Sequence, residues 1–188
     1  MELASYLESK LFDCPQFQLQ VKRDNQEQRW HFYSSEGIVY QFVLPVGNIL
    51  SSLLDGEGKL LGKVCKTSWC GANKYRLAFK EGDPDVKLSE KKFTFNRHRL
   101  SIAYKDETWA MEWNPTLDPF EMEVTWSLTL NKVAIAKYYG NFEPTCHMGR
   151  IEFQAASGMM QKLGPALPRA IVLSLGFIAH RQKRKAPF

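Results

Sequence analysis

The sequence predicts a mainly β fold: a closed antiparallel β-barrel of about 10–12 strands around a central hydrophobic C-terminal helix, with a short helix leading in. Three observations carry this reading. Short runs of alternating polar and apolar residues fill most of the chain from residue 17 to residue 154, separated by Gly, Asn, Asp and Pro. Aromatic residues make up 13% of the 188 residues, which favours pleated, half-buried surfaces. Finally, Ala170 to Ala179 (AIVLSLGFIA) is apolar around the whole circumference of a helix, so it has no polar face and must be surrounded.

Taken in order, Leu3, Leu7 and Leu11 with Tyr6 recur at helical spacing until Cys14–Pro15 stops the pattern, which gives the leading helix. Phe17, Leu19 and Val21 then alternate with Gln18, Gln20 and Lys22 as a half-buried strand that turns at Asp24–Asn25. Trp30 to Tyr33 and Ile38 to Leu44 flank the turn cluster Ser34-Ser35-Glu36-Gly37. Ile49 to Leu54 and Lys59 to Lys66 flank Asp55-Gly56-Glu57-Gly58, where Asp-Gly supplies the positive φ values of a tight reversal. This glycine cluster is not a P-loop, because Val64 follows Lys63 where Ser or Thr is required. Asn73 to Lys80 sets Tyr75, Leu77 and Phe79 against Lys74, Arg76 and Lys80, and Glu81 to Asp85 reads as a loop. Phe93–Tyr104, Trp109–Trp113, Met122–Leu130, Val133–Tyr139 and Met148–Gln154 supply further strands. Their turns are Lys105-Asp106-Glu107, Asn114-Pro115-Thr116, Asn131-Lys132 and Gly140-Asn141, and a turn over Ser157–Leu163 precedes the last helix.

The final helix, expected over residues 168–183, opens at Pro168, whose missing N–H suits a first helical turn, and closes on the basic run after His180. A barrel of this strand number is too wide for its own side chains to fill, and the apolar helix is the piece that fills it. No linker divides the chain, so a single domain over residues 1–188 is expected.

Of the net charge of +5, four charges are Arg181, Lys183, Arg184 and Lys185 in the tail, which leaves the body at +1. A broad nucleic-acid surface is therefore not expected. The N-terminus has acidic residues where a signal peptide needs cations, and the apolar C-terminal run is about ten residues where a membrane span needs roughly 20. A cytoplasmic protein, or one bound peripherally to a membrane, is the expectation, with a monomer as its state. Cys14, Cys65, Cys70 and Cys146 lack the spacing of a zinc site and read as free thiols. No nucleophile elbow appears; His98, between Arg97 and Arg99, reads as surface, and Glu121 and Glu123 as a solvated strand face. Neither a catalytic centre, a metal nor a cofactor is expected.

The order of elements, the hairpin LLDGEGKLLGKVCK at Leu53 to Lys66 and the plug LPRAIVLSLGFIA at Leu167 to Ala179 resemble the tubby C-terminal-like superfamily of tubby proteins, phospholipid scramblases and LURP-one-related proteins. That resemblance implies a barrel of about twelve strands around a hydrophobic helix, and a non-enzymatic module that binds anionic, phosphoinositide-like head groups or a protein partner. The scramblases' cysteine-rich, proline-rich and acidic calcium-binding segments have no counterpart here. Charge alone picks out the candidate head-group residues: Lys63, Lys66, Lys74, Arg76, Arg97 and Arg99 on or beside neighbouring strands, with Arg181, Lys183, Arg184 and Lys185 in the tail. Two alternatives remain, a lipocalin-like carrier of a small apolar ligand and a scramblase-like membrane-associated protein.

Overall fold

A computed structural model describes residues 16–24, 28–44, 51–66, 74–79, 84–90, 97–117, 124–140, 148–154 and 162–183. The strands are β1 (Gln16–Asp24), β2 (Arg29–Ser34), β3 (Gly37–Val43), β4 (Ser52–Asp55), β5 (Leu60–Lys66) and β6 (Lys74–Ala78), then β7 (Asp85–Glu90), β8 (His98–Tyr104), β9 (Glu107–Leu117), β10 (Val124–Leu130), β11 (Val133–Tyr139) and β12 (Met148–Gln154). Helix α1 (Ala166–Lys183) follows them. Every strand pairs antiparallel with its sequence neighbours, and β12 returns to β1 through pairs such as Leu19↔Ile151, so the sheet closes as an up-and-down barrel. Closure removes the exposed edges that an open sheet of this size would present.

Local chemistry sets the tight turns. Asn131 and Lys132 both have positive φ, +51° and +67°, the two-residue reversal whose twist matches that of the flanking strands. Asp55 folds its own hairpin: its Oδ1 accepts hydrogen bonds from the amides of Glu57 at 3.0 Å and Lys59 at 2.8 Å. The next residue has to be glycine, because a Cβ on Gly56 would lie 2.2 Å from the carbonyl oxygen of Ile38. Register shifts at Phe32/Tyr33, Leu53/Leu54 and Leu128/Thr129 mark β-bulges. Opposite them Val39, Leu61 and Ile135 are all buried, so each irregularity adds an apolar side chain to the core near a tight turn.

Helix α1 lies inside the barrel. Gly176 meets the ring of Phe42 on β3, Phe177 packs edge-on against Tyr75 on β6 at 4.6 Å between centroids, and Ser174 accepts a 2.9 Å hydrogen bond from Nε1 of Trp113 on β9. These strands are spread around the ring, and a helix on the outside reaches only adjacent ones. Ala170 to Ala179 is buried without a break, in agreement with the sequence expectation of a plug. The single polar residue of that run, Ser174, donates to the carbonyl of Ile171 at 2.9 Å while receiving the indole N–H, so its hydroxyl is satisfied twice in an apolar lumen.

Three readings are corrected, and others fall outside the described residues. Asn114-Pro115-Thr116 is not a turn but the far part of β9, paired with Ser127, Trp126 and Thr125 of β10. Among the described residues the β8 ladder ends at His98↔Trp113, so no described rung to β8 needs an N–H from Pro115. Asp85 is the first residue of β7 rather than the end of a loop, because Val86 and Leu88 alternate inward from it and are buried. His98 is buried on the inward face, 6.3 Å from Trp126 between ring centroids, while Arg99 alternates outward. The leading helix over Leu3–Leu11, residues 93–96 of the expected strand, the Glu121 and Glu123 pair, and most of the turn before α1 lie outside the described residues.

Candidate functional site

Strand register sorts the sequence-selected cations into two places. On the outer wall, Cys65, Arg76, Lys87 and Ser101 stand side by side across β5, β6, β7 and β8. A second row, Lys74, Ser89, Arg99 and Glu112, runs one alternation nearer the long-loop end, and Lys63 faces Ala78 one alternation the other way. The wall thus brings Arg76 beside Lys87, not beside Lys63 or Arg99. Lys87 was not among the residues chosen from sequence. Its signal was the alternation D-V-K-L-S, hidden by reading Asp85 as part of a loop.

One carboxylate offsets part of the charge of that wall. Asp85 takes a 2.9 Å contact from Nε of Arg76 on one oxygen and a 3.0 Å contact from Nζ of Lys87 on the other. The hydrogen bond from Lys87, followed by the charges of Lys87 and Arg76, holds the Asp85 carboxyl below its ordinary range against the opposing effect of partial burial. The folded pKa is depressed, so the stabilisation is present above the unfolded value near 3.9 and is lost as pH falls through the folded one. Asp85→Asn should therefore melt slightly lower than wild type at pH 7, by no more than about 1 kcal/mol for an exposed cluster, and the two curves should converge as pH drops below about 4. A pH-independent difference would show that the carboxylate charge is not the cause. Across the barrel, Arg150 is similarly engaged, 3.1 Å from Glu152 and 4.4 Å above the Tyr139 ring.

The second place is one end of the barrel. Strand polarity puts Asp24, Arg29, Val43, Ser52, Lys66, Lys74, Glu90 and His98 at that end, with tight turns at the other. Helix α1 runs toward it: Lys162, just ahead of the helix, pairs with Glu107 at the tight-turn end, whereas Phe177 reaches Tyr75, next to the first residue of β6. The last helical residues, Arg181 to Lys183, therefore arrive where β5 ends at Lys66, β6 begins at Lys74 and Arg97 precedes β8. Arg184 and Lys185 lie outside the described residues. Lys66, Arg97 and Arg99 are exposed.

Arg23, at the same end, was also missed. It continues the buried face of β1 after Leu19 and Val21 and stands opposite Trp30 in register. Its Nε is buried with no hydrogen-bond partner, and loss of hydration lowers the guanidinium pKa. Extending the Phe17–Leu19–Val21 alternation by one step would have placed an arginine on the apolar face. Among the described residues no group of three or more His, Cys, Asp and Glu is arranged to hold a metal, and no helix is long and apolar enough to cross a membrane.

No family model, curated protein or solved structure matches the chain.

Proposed function

We propose that this barrel is a non-enzymatic, tubby-like module that docks on anionic phospholipid, with a preference for phosphoinositide-like head groups, through the end from which α1 leaves. The observation that carries the reading is the direction of α1. The helix ends, at Lys183, on the side of the barrel where β5 ends at Lys66, β6 begins at Lys74 and Arg97 precedes β8. Each cation close to an anionic leaflet contributes on the order of 1 kcal/mol, so several on one end give reversible attachment without a spanning segment. The outer wall supports this less well, since Asp85 already engages Arg76 and Lys87. A lipocalin-like carrier would need the lumen for its ligand, and α1 occupies it.

Co-sedimentation with vesicles of neutral lipid, of neutral lipid with phosphatidylserine, and of neutral lipid with phosphoinositide tests the reading. The full chain should bind both anionic preparations at low salt, phosphoinositide most strongly, and neutral vesicles hardly at all. A chain ending at His180 should bind more weakly but keep the preference. Arg97→Ala should weaken binding further, whereas Arg76→Ala should leave it nearly unchanged. Raising salt should reduce attachment steeply, because exposed charges are screened over about 8 to 10 Å. Failure of the full chain to bind any anionic vesicle at low salt would exclude the membrane role.

A further inference from the structure

The inner face of β1 reads Leu19, Val21, Arg23, and the third member does not belong to an apolar core. Leu19 and Val21 are buried, and Arg23 is half-buried directly opposite Trp30. The Trp30 ring meets Phe42 at 6.1 Å between centroids, and the Phe42 ring lies against Gly176 of α1. Arg23 thus shares a cross-strand row with Trp30 and Phe42, the row that meets α1, and lies one residue from the end of β1 at the mouth toward which α1 runs. The acid next to it in the chain, Asp24, alternates to the other face of β1 and pairs in register with Arg29. The buried Nε of Arg23 has no hydrogen-bond partner, and the half-buried guanidinium has no ion pair among the described residues. A cation taken out of water without a counter-charge is destabilising, so this position calls for an anion that none of the described residues supplies.

We propose that Arg23 anchors an anion site at this barrel mouth and that its ligand is a phosphate monoester, received side-on by Nε and a terminal guanidinium nitrogen. Arginine suits this geometry because its planar fork offers parallel N–H donors to two phosphate oxygens. The proposal rests on the membrane reading only for the source of the phosphate: a phosphoinositide head group and a soluble inositol phosphate present the same chemistry.

Three proteins separate the sources: the full chain, Arg23→Met and Arg23→Lys. Each is melted with and without soluble inositol trisphosphate and sedimented with phosphoinositide, phosphatidylserine and neutral vesicles. Arg23→Met removes an uncompensated charge at similar length, so its ligand-free melting temperature should equal or exceed that of wild type, which also shows that the variant folds. Inositol trisphosphate at a hundredfold excess over its Kd should raise the wild-type melting temperature by about 5 to 10 °C. It should leave Arg23→Met unmoved. Phosphoinositide vesicle binding should fall about tenfold in Arg23→Met and lose its advantage over phosphatidylserine. Arg23→Lys, which keeps the charge but not the fork, should retain general vesicle attraction and lose the thermal shift. Equal thermal shifts in wild type and Arg23→Met overturn the proposal, since the side chain would then merely be extending its head group to water. Vesicle binding that survives in Arg23→Met with its phosphoinositide preference intact also overturns it, and leaves the membrane reading standing. An Arg23-dependent shift with the soluble probe and no binding to any vesicle upholds the site and removes the membrane as its source.

Discussion

Replacing Phe177 with alanine should destabilise the protein by about 3 to 5 kcal/mol, which for a chain of this length lowers the melting temperature by roughly 6 to 20 °C. The side chain is 5% exposed and its ring packs edge-on against Tyr75, so truncation removes both the buried area and an aromatic pair. Its surroundings cannot collapse to close the gap, because the wall is a closed ring of strands tied by ladders on both sides and the helix is held on other faces by Phe42 and Trp113. A helix lying on the outside of the barrel would lose far less. A thermal or denaturant melt of Phe177→Ala indistinguishable from wild type would show that α1 does not fill the lumen.

The fold was legible because two periodicities in the sequence are physically unambiguous. Strands Val133–Tyr139 and Met148–Gln154 end where alternation ends, and the plug is recognisable because no rotation of Ala170–Ala179 finds a polar face. Errors arose where tertiary context overrode a local cue. Asn114-Pro115 carries a turn signal, yet β9 continues through it because the ladder to β10 runs on past it, from Ser127 to Val124. His98 between two arginines looks solvated in one dimension, but period two sends it inward, away from both.

The candidate site was less legible, for a different reason. Composition identifies cations but not their neighbours, and whether Arg76 is available depends on Asp85, nine residues away and diagonal to it across the β6–β7 ladder. Likewise, that Arg181 and Lys183 share an end with Lys66 and Lys74 depends on the direction of α1 through the lumen, a consequence of closure that no local pattern encodes. Arg23 is the opposite case: its phase was readable, but its significance required knowing that its buried Nε finds no partner among the described residues.

Leucine in place of Gly176 should destabilise by about 3 kcal/mol or more, although it replaces a poor helix former with a good one. A Cβ at this position would lie 2.7 Å from the Phe42 ring, with three ring carbons within 2.8 Å, and that ring is fully buried between α1 and Trp30. The intrinsic gain from removing a helix-interior glycine is about 1 kcal/mol and is outweighed, since neither the ring nor the helix axis can retreat in a lumen filled on every side. Truncating the facing residue alone, Phe42→Ala, should itself cost about 3 to 5 kcal/mol by leaving a cavity. The two losses should not add, because the leucine side chain occupies the space the ring vacates. A denaturation cycle over wild type, both single variants and the double variant should return a favourable coupling of about 1 to 3 kcal/mol between β3 and α1. Simple additivity would mean that the ring and the helix backbone are not in contact, and the packing that places α1 against β3 would have to be abandoned.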